Sequence, residues 1–202
     1  CDGSTIQKLI VAKNHIPAVK TTVVHNGIDP DDMKRDTEQR KKIRKEFGVT
    51  DDEILIGNTG RMVRFKGQRT LISAFRSVAD HVKNVKLVIV GDGELRLELI
   101  EYSRILRLED KVIFTGFRDD LKAVYSAFDL YSHSSIEGGG ELFPFSILFA
   151  LAQGIPVVAT AIGDIPVMVE DGVNGFILRN KSPIEFSRKL IELIEDNRKM
   201  SE

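Results

Sequence analysis

The chain is poor in features that several protein classes require. It carries one cysteine, Cys1, in 202 residues. That excludes an internal disulfide and a cysteine-built zinc cluster, and it fits a reducing compartment. Charge of one sign is also lacking: 29 Lys and Arg stand against 30 Asp and Glu, a formal net charge of -1. The balance offers no basic surplus for nucleic acid and no acidic tail. His15, His25 and His81 have no companions at metal-ligand spacing, so no metal site is expected. There is no G-x-S-x-G elbow and no G-x-x-x-x-G-K-[ST] loop. The opening residues CDGSTIQKLI show no signal-peptide pattern. No fixed repeat or low-complexity segment is visible, and no internal linker.

One stretch lacks charge altogether, from Leu142 to Gly163. Its length is near the roughly 20 residues of a membrane span. Gly154-Ile155-Pro156 interrupts it, however, so it reads as a buried helix over 143–153 followed by the strand PVVAT.

What is present is a regular alternation of β-branched runs and helical segments. The runs are TTVVHNGID, ILIGNTG, VKLVIVGDG, VIFTG, DLYSHS, PVVAT and VNGFIL. A charged segment over 34–47, ending at Gly48, reads as a helix with a solvated face. In GQRTLISAFRSVADH, residues Leu71, Ile72, Phe75, Val78 and Ala79 form one stripe of a 3.6-residue period. A helix is also expected over 94–107 and a short one in DLKAVYSAF, with another turn starting near Pro166. Ser182, Pro183 and Glu185 supply an N-cap, an N1 proline and an N3 glutamate for a final helix. Alternation repeated about six times implies an α/β domain, a single doubly wound, Rossmann-like parallel sheet of about six strands. Residues 1–20 are less regular and read as a lead-in segment, with the domain over 21–202.

In such a sheet, ligands bind at the carboxyl ends of the strands. Three loops there draw attention. GRMVRFKG places Arg61, Arg64 and Lys66 between Gly60 and a helix start, a suitable site for a phosphate or diphosphate. Gly91-Asp92-Gly93 is either a plain tight turn or a backbone contact to a nucleotide. IEGGGE flanks Gly138, Gly139 and Gly140 with Glu137 and Glu141. Pro144 then suits a first helical turn, whose N–H groups near Phe145 and Ser146 would face an anion. His133, at the end of DLYSH, is either a ligand-facing donor or a structural histidine.

The order VVHNGID, GNTGRMVRFKG, LVIVGDGE, VIFTGFRDDL, DLYSHSSIEGGGE, FALAQGIPVVAT and EDGVNGFIL resembles the C-terminal, donor-binding domain of the group 1 (family 4) retaining glycosyltransferases. The likeness covers about residues 21–196. It implies one half of a GT-B fold, whose active site lies between two Rossmann-like domains, and a nucleotide-diphosphate sugar such as a UDP- or GDP-sugar as donor. No cofactor or metal is implied. The family's diphosphate-holding arginine and lysine match Arg61 and Lys66, preceded by Gly60. Its glycine turn beside the nucleotide matches Gly91 and Gly93, and its base-contacting main chain matches Phe117 and Arg118. Spacing makes Glu141 the sugar-contacting glutamate, with Gly140 beside it, while the local S-x-x-E-G likeness nominates Glu137. Phe149 replaces the family's second glutamate, and Val167 stands where another is frequent. The loss of that carboxylate opens an alternative, a degenerate, non-catalytic binding module. A different nucleotide-binding α/β protein, such as a sugar epimerase, is a third reading, disfavoured by the incomplete glycine fingerprint.

The resemblance further implies transfer of a hexosyl group with retention to a glycan or lipid-linked acceptor. That acceptor would be supplied through an N-terminal domain that this chain lacks. The chain is accordingly expected to be a fragment, inactive alone. A cytoplasmic location follows from the family, with association at the cytoplasmic membrane surface open.

Overall fold

The computed structural model describes residues 3–14, 16–138, 141–179 and 182–201. Among them, six β-branched runs form strands: β1 Ile54–Thr59, β2 Val85–Val90, β3 Val112–Gly116, β4 Leu130–His133, β5 Val157–Thr160 and β6 Gly175–Leu178. All pairings are parallel, in the order β3-β2-β1-β4-β5-β6. The chain moves outward from β1 to β3 and then returns to β4 on the other side of β1. The direction of winding therefore reverses between β1 and β4, which is where a doubly wound sheet opens a crevice.

Among the described residues, eight α-helices accompany the strands: α1 Ser4–Asn14, α2 Thr37–Glu46, α3 Gln68–His81, α4 Arg96–Ile105, α5 Leu121–Ser126, α6 Phe145–Ala152, α7 Ile165–Met168 and α8 Pro183–Ser201. Strand alternation divides the core into two layers. Leu87 and Ile89 of β2 join α3, α4 and α8 on one face, whereas Val88 and Val90 join α2, α5 and α6 on the other. The α3 stripe is buried as its period predicts, each large apolar side chain contributing about 2 kcal/mol. At α8, Ser182 Oγ accepts from Glu185 N (3.2 Å), the expected N-cap. The uncharged stretch is α6 and β5, and among the described residues no helix is long and apolar enough to cross a membrane.

Four expectations are corrected. Helix α2 starts at Thr37 rather than 34, because Asp36 Oδ1 accepts from Glu38 N and Gln39 N (2.9 and 3.0 Å) and caps it there. Its charged run is also not wholly solvated, since Arg44 is only 2% exposed. Residues 1–20 are not simply irregular, because α1 occupies most of them. TTVVHNGID forms no strand. Its His25–Asn26 end lies at the carboxyl end of the sheet, held by side chains rather than by a ladder. His25 stacks on Phe143 (4.3 Å, 11°) and lies 3.3 Å from Asp164, while Asn26 Nδ2 donates to Phe143 O (2.8 Å). Asp164 also accepts from Ser4 N and Ser4 Oγ, tying the start of α1 to the same corner.

Candidate functional site

A cavity of about 530 Å³ lies at the carboxyl ends of β1 and β2, closed by the segments that follow β3 and β4, beside the reversal point of the sheet. Two turns form one wall. After β1, Gly60 N donates to Val90 O (2.9 Å) and Met62 N donates to Asp92 O (2.8 Å). After β2, Gly91 N donates to Gly116 O (2.8 Å). The turns touch so closely that a Cβ on Gly91 would sit 2.2 Å from Gly60 O, and one on Gly93 would sit 2.5 Å from Met62 O. The glycines are needed for turn-on-turn packing, which is the tight-turn account of this motif. Gly91 nevertheless lines the cavity.

Arg61 and Lys66 reach the cavity from the β1 turn, whereas Arg64 is exposed and does not line it. Lys66 Nζ donates to Glu141 Oε2 (2.5 Å), so the two candidates from distant loops form one ion pair. Glu141 Oε2 also accepts from Ser135 Oγ (2.8 Å) and lies 3.5 Å from His133 Nε2. Burial by itself would raise the Glu141 carboxyl. The hydrogen bonds and charges of His133 and Lys66 outweigh burial and hold it down to about 2. On the far side, α6 begins after Pro144 without a side-chain cap, and its first-turn residues Phe145 and Ser146 line the cavity. The positive end of a helix and two cations thus face one space.

The remaining wall is aromatic. Phe149 meets Tyr125 edge-on (5.7 Å) and lies 6.1 Å from Phe145. Tyr125 and Tyr131 share the Thr59 hydroxyl (2.6 and 3.0 Å), and Tyr125 OH donates to Ser146 O (3.0 Å). Burial raises both phenols, so they stay neutral. Phe117, 80% exposed, forms the rim. Arg118 lines the cavity as well, but its guanidinium is held by Asp120 (2.7 and 2.8 Å) and Glu46. Those carboxylates raise its pKa.

The cavity therefore gathers Gly60, Arg61, Lys66, Gly91, Phe117, Arg118, Glu141 and Phe149. Gly93 lies behind the turn, and Glu137 is exposed and outside the cavity lining. Gly140 lies outside the described residues. Sequence reasoning missed Asn26, Thr59, Leu121 and Tyr125 as lining residues.

The low pKa of Glu141 makes stability depend on pH. Its folded value lies below the ordinary 4.5, so the contribution is complete above pH 5 or so and is lost as pH falls toward 2. A shift of that size corresponds to about 3 kcal/mol. Urea unfolding of the wild type and of Glu141→Gln should differ most at pH 7 and converge near pH 2. A difference that does not change with pH would refute this.

The fold and the cavity together define a Rossmann-like α/β domain with its site at the switch point. Residues 39–202 match the family described as "Glycosyl transferases group 1", and the chain belongs to that family. It is 34% identical over 171 residues to an uncharacterised glycosyltransferase of Methanocaldococcus jannaschii, covering 83% of this chain and 43% of that protein. It is 28% identical over 190 residues to the GDP-mannose-dependent alpha-(1-6)-phosphatidylinositol monomannoside mannosyltransferase of Mycobacterium tuberculosis, covering 89% of this chain and 48% of that one. Among solved structures, Anabaena HepE in complex with UDP-glucose is similar, with a TM-score of 0.86 and 30% identity over 98% of this chain and 54% of that one. The chain spans about half the length of the curated relatives it matches.

Proposed function

We propose that this domain binds the nucleotide-diphosphate sugar donor of a retaining hexosyltransferase and, together with a second domain, supports transfer to a glycan or lipid-linked acceptor. One observation carries it: Arg61, Lys66 and Glu141 converge with the α6 N-terminus on a single cavity at the sheet's switch point. The UDP-glucose bound to HepE and the GDP-mannose dependence of the mycobacterial relative support a nucleotide sugar as ligand. In this role Arg61 and Lys66 neutralise the diphosphate, including the charge that builds on it as it leaves, in the place a metal ion would otherwise hold. The α6 terminus adds its dipole. Glu141 accepts from sugar hydroxyls, the Phe117–Arg118 main chain meets the base, and the Phe149–Tyr125 wall packs beside the donor.

Calorimetric titration of this chain with UDP, GDP and ADP tests the assignment. One nucleotide should bind, and Arg61→Ala and Lys66→Ala should each weaken it about tenfold or more, the loss expected for a charged hydrogen bond. Absence of binding by all three at millimolar concentration would sink the assignment. Phe149 favours a second reading, binding without catalysis, because the carboxylate usual at that position is replaced by a ring packed on Tyr125. Nucleotide-sugar binding without transfer, measured with the acceptor domain present, would select that reading.

A further inference from the structure

Several donors converge on one oxygen of Glu141, and among the described residues none of them contacts the other. Lys66 Nζ and Ser135 Oγ donate to Oε2 at 2.5 and 2.8 Å, and His133 Nε2 lies 3.5 Å from that same atom. None of these contacts is to Oε1. Ser135 and His133 are fully buried, 1% and 2% exposed. Their positions are fixed by the sheet: His133 ends β4, and Ser135 O accepts from the buried Thr160 Oγ1 of β5 (2.5 Å).

The proton inventory orders these contacts. A serine hydroxyl has one proton and two lone pairs. With Ser135 donating to Glu141, it can accept from His133 Nε2, which lies 3.0 Å away and closer than the carboxylate. In the neutral ring that assignment puts the proton on Nε2 and makes Nδ1 an acceptor, whereas the charged ring carries protons on both nitrogens. Ser146 Oγ, in the first turn of α6, is 3.4 Å from Nδ1. In either form a directed chain runs from His133 through Ser135 to Glu141.

We propose that Ser135 and His133 are positioning residues that pin Oε2 of Glu141 so that Oε1 is the oxygen presented to a hydroxyl of the donor sugar, a role that rests on the donor-binding function above. The arrangement also settles a competition. Lys66 faces two anions, Glu141 and an arriving diphosphate. If the diphosphate draws on Lys66, Ser135 and His133 still hold Oε2, so the carboxylate neither swings toward the phosphates nor takes up a proton. The low pKa of Glu141 accords with such a held anion.

Two measurements test this. The first is the carboxyl titration of Glu141, followed by carbon NMR in protein labelled at the glutamate side-chain carboxyl. The titratable groups facing it are Lys66 from the β1 turn and His133 from β4, with Arg61 and Asp92 lining the same cavity. Ser135→Ala should raise the midpoint by about one pH unit, the scale of one lost hydrogen bond to a charged group. Ser135→Thr, which keeps the hydroxyl, should restore it. His133→Gln should stay near the wild type, because its amide reaches the place of Nε2, and His133→Leu should not. If His133→Leu does not fold, Ser135→Ala, which removes a single atom, carries the test.

The second measurement compares UDP with UDP-glucose and UDP-N-acetylglucosamine, and GDP with GDP-mannose, by calorimetry on the same proteins. In Ser135→Ala the free diphosphate should bind within about twofold of wild type, while the added affinity from the sugar falls about tenfold. An unmoved Glu141 titration in Ser135→Ala overturns the proposal, as does a sugar increment that is absent in the wild type or unchanged in the variant. If the wild type binds no nucleotide at all, donor binding itself has failed and the sugar role falls with it. The titration would still report the hydrogen-bonded chain, so the two failures remain distinct.

Discussion

Replacing Asp129 with alanine should cost about 4 kcal/mol of stability and lower the melting temperature by about 10 °C. Asp129 sits at the junction of three elements. Its Oδ1 accepts from Arg40 Nη2 (2.6 Å), and its Oδ2 accepts from Arg44 Nη1 (2.9 Å) and from Leu55 N (2.8 Å) at the head of β1. The two arginines also donate to the carbonyls that end α5, with Arg40 and Arg44 both on Ala127 O (2.9 and 3.2 Å). Removing the carboxylate leaves Arg44 charged, 2% exposed and without its anion. That stranded cation, rather than the lost attraction, is the larger part of the cost. Arg35 is lowered already by burial and by neighbouring Arg40, with Asp129 opposing them, so the same carboxylate steadies a third guanidinium. Thermal melts of Asp129→Ala, Arg44→Met and the double variant check this. The double variant should be much less destabilised than the sum of the singles, because no buried charge is then left alone. Strict additivity would show that the pair is not coupled.

This cluster also marks where the sequence stopped being informative. The α3 stripe and the Ser182 cap could be read directly, because a 3.6-residue apolar period and a capping box each point to one local geometry. In α2 nearly every residue is polar, so no apolar period distinguishes Arg44, facing inward, from Lys42, facing outward. TTVVHNGID was misread for a related reason. Alternating β-branched residues favour an extended backbone, but only a neighbouring strand edge turns that into a strand, and this segment lies on Phe143 and Asp164 instead. At the cavity, the cationic turn was recognisable from its place between a strand and a helix. Local sequence could not decide between Glu137 and Glu141, because both follow β4 within a few residues. The Lys66 ion pair now puts Glu141 in the cavity. Tyr125 escaped notice because α5 looked like a short connecting helix. Its hydroxyl matters only because Thr59 and Ser146, far apart in sequence, meet it.

Gly67→Ala should damage fold and site together, costing about 4 kcal/mol and at least tenfold in nucleotide affinity. Gly67 links Lys66 to α3 and has φ +65°, in the left-handed region. A Cβ there would lie 2.0 Å from Ser134 O, a backbone atom that cannot turn aside as a side chain tip can. The left-handed conformation alone costs an L-residue about 1 kcal/mol, and backbone overlap adds about 3 kcal/mol through forced displacement. The displacement has a definite direction. Ile136 N donates to Phe65 O (2.7 Å) and Ser134 Oγ donates to Lys66 O (2.8 Å), so these contacts hold the loop after β1 against the loop after β4. Forcing Ser134 away separates the loops that bring Lys66 to Glu141. Gly48 supplies the control. It has nearly the same φ, +64°, at the end of α2, but a Cβ there meets nothing within 4 Å. Gly48→Ala should therefore cost only the conformational preference, about 1 kcal/mol, and leave nucleotide binding unchanged. Denaturant unfolding and calorimetry on both variants separate the two contributions. Equal losses in the two would mean that the contact with Ser134 does not hold these loops together.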